Sequence, residues 1–181
     1  RNSQVILPYP TGEDLNSRTD QSASRWVIQF DERTEAEARR YPSVWKVVEA
    51  RVKPERAKKD AKKYPRMVKE WWKHWNNRQE LARAVKGMRE VLVIARVSRT
   101  LAIARVRAQQ IFADVVNVFA LEGDAPFGLL QSSIHQMWVR AHSSSLKGDT
   151  RYSPSDCFET FPFPSAFERL VNAGKQYERH R

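Results

Sequence analysis

Apolar positions along this chain follow two rhythms, and the change between them divides the sequence. The opening run Val5-Ile6-Leu7 is cut short by Pro8 and Pro10. It reads as an edge strand, with a polar loop over Glu13–Ser24 behind it. In Arg25–Phe30 the residues Trp26, Ile28 and Phe30 alternate onto one face, the pattern of a half-buried strand. A helical rhythm then takes over. Thr34 followed by Glu37 has the form of a capping box and predicts a helix that Pro42 breaks. Ser43–Val52 carries Val44, Val47 and Val48 at helical spacing. Pro54 and Pro65 each suit the first turn of a further helix, over Glu55–Lys63 and Arg66–Trp75. Gln79–Lys86 closes at Gly87, a helix C-terminal signal.

From Glu90 the rhythm changes. Glu90–Val97 is a nearly unbroken β-branched run, and Leu101–Val106 and Val115–Leu121 follow after short polar turns, so they predict antiparallel neighbours. Phe127–Arg140 predicts one helix, with Leu130, Ile134, Met137, Trp138 and Ala141 on its buried face and Ser132 and Ser133 allowing a tight seat on the sheet. The segment Lys147–Ser153 is rich in Gly, Asp and Ser and reads as a loop, after which Phe158, Phe161 and Phe163 return to the core. A last helix is expected over Ser165–Tyr177, with Tyr177–Arg181 fraying. Helices gathered in one block, then an antiparallel sheet with a helix packed on it, give an α+β fold rather than alternating βαβ units. The expected organisation is a single recognition domain over residues 1–181. Within it lie a basic helical lobe at 33–89, a sheet, helix and loops at 90–164, and a terminal helix at 165–181.

Charge sharpens this picture. The chain has 32 basic and 21 acidic residues among 181, a net charge of +11. Lys46–Arg89 alone holds 15 basic against 5 acidic residues, so +10 of the excess sits in about a quarter of the chain. A concentrated basic surface suits a polyanionic partner, and a solvated, solubilising face is the alternative. On a helix, Arg66, Lys69 and Lys73 share one face, with Lys62 just before them, and all four are candidates for phosphate contact. Met67, Trp71 and Trp75 share another face, either as core or as stacking platforms. Arg96, Arg99, Arg105 and Arg107 punctuate apolar strands and turns. An arginine so placed must face water, a carboxylate or a phosphate, and its planar fork also fits the O6/N7 edge of guanine. Arg140 closes the long helix, and Ser144, Lys147, Arg151 and Tyr152 stand in the polar segment beyond it.

The motifs that would carry chemistry are missing from the sequence. There is no Asn/Asp-Pro-Pro-aromatic motif, no glycine-rich cofactor loop after a strand, no P-loop and no GxSxG. His74, His135, His142 and His180 lack metal-ligand spacing, and Cys157, the one cysteine, reads as a buried structural thiol with no disulfide framework around it. Adjacent Glu13 and Asp14 read as solvated carboxylates. No run of about 18 apolar residues is present. A reducing cytoplasm without membrane contact fits these features, and the start at Arg1 without methionine suggests a piece of a longer protein. No catalytic residue, bound cofactor or metal is expected in this chain.

Six stretches together carry a resemblance. They are NSQVILPYPTGEDLNSR near the start, SRWVIQF, RVKPER, EVLVIARVSR, FGLLQSSIHQMWVRAHSSSL and KGDTRYSPSDCFETFPFP. In this order, from about Asn2 to Pro164, the chain resembles the target-recognition domain of adenine-N6 DNA methyltransferases of the fused restriction–modification (type IIG/IIL-like) family. The resemblance implies a bacterial module that docks double-stranded DNA, reads bases, and positions an adenine for a separate catalytic domain of the parent chain that uses S-adenosylmethionine. Such enzymes serve in phage defence. The family's recognition loops vary, so the readers are chosen here by residue chemistry: Arg96, Arg99, Arg105, Arg107, Arg140, Ser144, Lys147, Arg151 and Tyr152. An RNA-binding or protein-interaction module built on the basic lobe is the alternative from another class.

Overall fold

The computed structural model describes residues 2–76, 78–146 and 148–180, with the side chains at 167 and 168 left aside. It is a mixed α+β fold that divides into two units, Arg1–Pro8 with Trp26–Glu80, and Tyr9–Arg25 with Leu81–Arg181.

In the first unit, strands β1 (Ile6–Pro8) and β2 (Trp26–Ile28) pair antiparallel, with Ile6 opposite Ile28. Helix α2 (Glu35–Ala38) starts at the expected capping box. The Thr34 side chain accepts the Glu37 N–H, while the Glu37 carboxylate accepts from the Thr34 backbone at 2.8 Å. Short helices α3 (Pro42–Arg51), α4 (Lys53–Ala57) and α5 (Pro65–Lys69) follow, each begun or braced by a proline in its first turn, and the chain passes into the second unit within α6 (Gln79–Ala84). Their core is aromatic: Phe30, Tyr41, Val44, Trp45, Val48 and Trp71 are buried together. The Trp45 and Trp71 rings lie 4.9 Å apart, and the Trp72 indole donates to the Arg33 carbonyl. Two expected inward residues differ. Trp26 stays 66% exposed near the strand end, and Val47 faces water because Val44, Trp45 and Val48 already fill the α3 stripe.

The second unit is built around β3 (Glu90–Ala95). It pairs antiparallel with β5 (Ala104–Arg107) on one side and β6 (Val116–Phe119) on the other, as the short connections predict. Both faces of β3 are covered. Leu92 and Ile94 pack with Ile103, Phe119, Phe127, Leu130 and Val139. Val91 and Val93 pack with Ala104, Phe112 and Val116, backed by Leu15, Leu81 and Val85. A strand buried on two faces has no polar side to show, which explains its continuous apolar run. After Arg96 the same strand direction resumes as β4 (Val97–Ser98), which leaves its former neighbours and joins a second sheet of order β4-β8-β7 with β7 (Ser144–Leu146) and β8 (Asp149–Arg151).

Several expectations change here. The polar segment near the start contains helix α1 (Gly12–Ser17), closed by a capping box between Thr11 and Asp14. Asp14 is therefore buried rather than solvated, accepting from Thr11 N at 2.8 Å, Thr11 Oγ1 at 2.9 Å and Ser24 N at 3.2 Å. The long helix is two, α7 (Asp124–Leu130) and α8 (Ser133–His142). The break at Gln131-Ser132 resets the phase. Ser132 caps α8, Gln131 accepts the Ile103 N–H, and the inward residues become His135 and Val139 while Ile134 and Met137 lie about 70% exposed. The polar loop contains the β7–β8 hairpin, where Gly148 takes φ +88° in the turn, a conformation that favours glycine. Beyond it Pro154–Phe158 forms a π-helical turn, and Phe161 is buried while Phe163 is 38% exposed. Helix α9 (Val171–His180) includes Tyr177–His180, which were expected to fray, and Arg181 lies outside the described residues.

Helix α9 packs on α7 through two glycines. A Cβ on Gly128 would lie 2.9 Å from Gly174 N, and one on Gly174 would fall inside the Asp124 carbonyl, which is backbone and has no easy way to yield. We expect Gly174→Ala to destabilise the fold by about 1–3 kcal/mol through overpacking. Calorimetric melting should show a drop of several degrees, and an unchanged melting temperature would refute so close an approach. Asp14 gives a second test. Burial raises its pKa, but hydrogen bonds from Ser24 and Thr11 outweigh that and hold it below the usual carboxylate value. Its stabilisation is then complete above about pH 4, the ordinary value, and fades as pH falls through the lowered one. Asp14→Ala should cost about 1–3 kcal/mol in urea unfolding at pH 7. The gap to wild type should narrow in strong acid.

Candidate nucleic-acid interface

The β4-β8-β7 sheet brings together part of the expected set. Its register aligns Val97, Arg151 and Ser144 in one row, and Ser98, Thr150 and Ser145 in the next. Alternation sends Arg151 to one face and Tyr152 to the other. Arg151 and Ser144 are exposed, while Tyr152 is 1% exposed. Arg99, just past β4, is 88% exposed at its side chain and donates from Nε to Asp149 Oδ1 at 3.2 Å. An exposed pair of this kind is weak and holds the guanidinium in place without consuming it. Arg99, Arg151, Ser144 and Asp149 thus converge on a small polar sheet surface. Among the described residues, Arg151 makes no side-chain ion pair or hydrogen bond.

Other expected readers are placed elsewhere. Tyr152 points into the core, where its hydroxyl meets His135 Nε2 at 3.2 Å, and burial pushes its pKa upward. It cannot touch a base edge from there, and its role is structural. Arg105 is likewise inside. It lies 3.5 Å from Glu90 and 2.9 Å from Asp124, with its guanidinium 4.9 Å from the Phe127 ring centre, so it ties β5 to β3 and α7. Two carboxylates and an aromatic face offset the cost of burying that charge. Arg96 donates to the Asp114 carbonyl, and its own N–H bonds Val115 O at 2.8 Å, which fixes the point where the strand changes sheets. Arg107 is exposed opposite Glu90, at the far end of β3 from Arg96, roughly 20 Å away at strand rise. Arg140 is exposed in the last turn of α8, where a cation is favoured. Lys147 lies outside the described residues.

In the first unit, Lys62 and Lys69 are exposed, with no side-chain partner among the described residues. Arg66 is exposed but bonded to Glu70 at 3.1 Å. Lys73 departs from the expectation. Its side chain is only 9% exposed between Glu70 at 2.6 Å and Glu32 at 3.7 Å, so it serves the fold rather than a free surface. Trp71 is core, and Trp75 is about half exposed, edge-on to Tyr64 at 5.9 Å.

Two residues of the site escape a reading of the sequence: Asp149, which orients Arg99, and His135, which supports Tyr152 from beneath. The alternation of Ser144–Leu146 and Asp149–Arg151 around Gly148 is the signal that marks the hairpin. Burial raises the Cys157 thiol, and a backbone hydrogen bond from the same turn only partly offsets it, in keeping with a structural cysteine. Among the described residues, no three His, Cys, Asp or Glu side chains gather as a metal site, and no helix is long and apolar enough to cross a membrane.

Comparison with known proteins agrees with this architecture. A solved structure described as "Structure of Type IIL restriction-modification enzyme MmeI in complex with DNA has implications for engineering of new specificities" superposes over 98% of this chain with a TM-score of 0.74. Identity there is 22%, so the likeness speaks for the fold, and the match takes in 23% of that longer chain. DNA methyltransferase A of Bacillus subtilis (strain 168) is 44% identical over 45 residues, which make up 25% of this chain and 5% of that protein. The chain therefore corresponds to less than a quarter of the length of either relative. The family model "MmeI, target recognition domain" matches residues 2–165, nearly the whole sequence. This chain belongs to the MmeI target recognition domain family.

Proposed function

We propose that this chain is a sequence-specific duplex-DNA recognition module that holds its site for adenine-N6 methylation by a separate, S-adenosylmethionine-dependent catalytic domain. The observation that carries the reading is the polar outer face of the β4-β8-β7 sheet, where Arg99 and Arg151 stand exposed on a small rigid platform within a domain of this family. Arginine forks suit guanine edges in the major groove, and a serine beside them accepts or donates to either partner. Arg140 and Arg107 then suit phosphates flanking the site. In the first unit, Lys62, Lys69 and Arg66 would supply affinity without sequence information. The cofactor belongs to the catalytic domain, and methyl transfer to the parent enzyme.

Binding measurements separate these roles. Arg151→Ala and Arg99→Ala should each weaken binding to a selected duplex by about 1–3 kcal/mol and relax preference at one base pair. Unchanged affinity and preference in both would sink the assignment. Lys62→Ala with Lys69→Ala should weaken all duplexes alike and flatten the salt dependence by about one unit of slope for each phosphate no longer neutralised. A binding constant nearly indifferent to salt would point instead to a protein partner, and preference for RNA over duplex DNA would redirect the reading to RNA.

A further inference from the structure

Tyr152 is held at three polar points as well as by packing. Its N–H donates to the Arg96 carbonyl at 2.8 Å, its carbonyl accepts from Asn117 Nδ2 at 3.0 Å, and its hydroxyl meets His135 Nε2 at 3.2 Å. The His135 Nδ1 lies 2.8 Å from the Leu130 carbonyl, which can only accept, so Nδ1 carries the proton and Nε2 accepts from the phenol. Phe161 stands edge-on to the imidazole at 4.9 Å, and Phe119 edge-on to the phenol at 5.7 Å. His135 and Tyr152 are 2% and 1% exposed. Arg151, the last residue of β8, directly precedes Tyr152 and is exposed where Tyr152 is buried.

We propose that His135 is a positioning residue for DNA recognition: by accepting the Tyr152 hydroxyl hydrogen bond it fixes the placement of β8, and with it the direction in which Arg151 is presented. The inference rests on the recognition function proposed above. A strand of three residues in a small sheet has few ladder bonds of its own, so its placement depends on what holds its inner face. The couple also has a chemical condition. Protonated imidazole has two N–H donors and no acceptor, so it cannot receive the phenol. From the elements packed against it, the titratable groups are the Tyr152 phenol and the Cys157 thiol, both kept neutral by burial. Asp156 and Glu159 of the adjoining turn are exposed and make no bond to it, and on α8 itself Arg140 and His142 face solvent. Burial lowers the His135 pKa, so the acceptor form is fully present above about pH 6.5, the ordinary value, and is lost as pH falls through the lowered one.

The test uses the intact protein and the duplex it selects from a random-sequence pool, with a scrambled duplex as reference. For the selected duplex, Tyr152→Phe and His135→Phe should each lose about tenfold in preference over the scrambled one, with nonspecific binding at low salt and far-ultraviolet circular dichroism unchanged. His135→Gln, which restores an acceptor, should recover most of the preference. Wild-type preference should hold from pH 7.5 down to about pH 6.5 and be lost only as pH falls through the lowered His135 value, while His135→Gln, having no proton to gain, stays level throughout. Full preference in both phenylalanine variants, or equal acid loss in wild type and His135→Gln, would overturn the inference and leave the recognition function standing. A wild type that selects no sequence would overturn both.

Discussion

The second unit depends on the place where one strand changes partners. Up to Ala95 the chain is buried on both faces between β5 and β6, and from Val97 it pairs with β8 instead. Arg96 makes the exchange possible. Its N–H bonds Val115 at the end of the old sheet, its carbonyl accepts the Tyr152 N–H at the start of the new one, and its guanidinium is anchored on the Asp114 carbonyl. A buried backbone cannot leave such groups unpaired, so the departure from one ladder has to coincide with entry into the next. The small polar sheet is thereby attached to a rigid core rather than to a flexible loop, and side chains on its outer face inherit that rigidity.

The same constraint sorts the arginines. In sequence, Arg96, Arg99, Arg105 and Arg107 look equivalent: cations spaced along apolar strands. The fold divides them by what each can reach. Arg105 sits where β3 offers Glu90 and α7 offers Asp124, and it is used internally. Arg96 is engaged with backbone carbonyls at the strand exchange. Arg99 is left outside, with only an exposed carboxylate at 3.2 Å to steady it. Lys73 repeats the lesson in the first unit, enclosed by Glu70 and Glu32 while Lys69 nearby stays in water. Charge counted along a sequence therefore overstates the charge available to a partner.

What can be read from the sequence is local. The capping box at Thr34, the prolines opening helices, the apolar β3 and its antiparallel neighbours all depend on residues a few positions apart, and each is present. Sequence patterns mislead where a distant partner decides the outcome. Asp14 resembles a loop carboxylate until Ser24 closes over it. Phe127–Arg140 has an unbroken helical pattern, but Gln131 bonds the Ile103 backbone 28 residues away and the helix breaks there, turning Ile134 and Met137 outward. Tyr152 has the look of an exposed reader because Asp149, Thr150 and Arg151 before it are polar. Strand alternation places it underneath, and only the hairpin register reveals that.

These corrections make the candidate surface smaller and better defined. A reader must be exposed, chemically able to discriminate bases, and held so that little conformational freedom is lost on binding. Tyr152 meets the third condition and fails the first, while the lysines of the first unit meet the first and fail the second, since an ammonium on a long stem reads charge rather than base pattern. Arg151 has the planar fork and the exposure, and is joined by one peptide bond to Tyr152, the buried residue that follows the strand. Arg99 has the fork, the exposure and an orienting carboxylate. Specificity in the proposed recognition therefore comes to rest on two guanidinium groups, each positioned by a different device: one by a buried phenol–imidazole couple beneath its strand, the other by an exposed carboxylate beside it. Because the first device is dry and the second is in solvent, salt should loosen the orientation of Arg99 far more than that of Arg151.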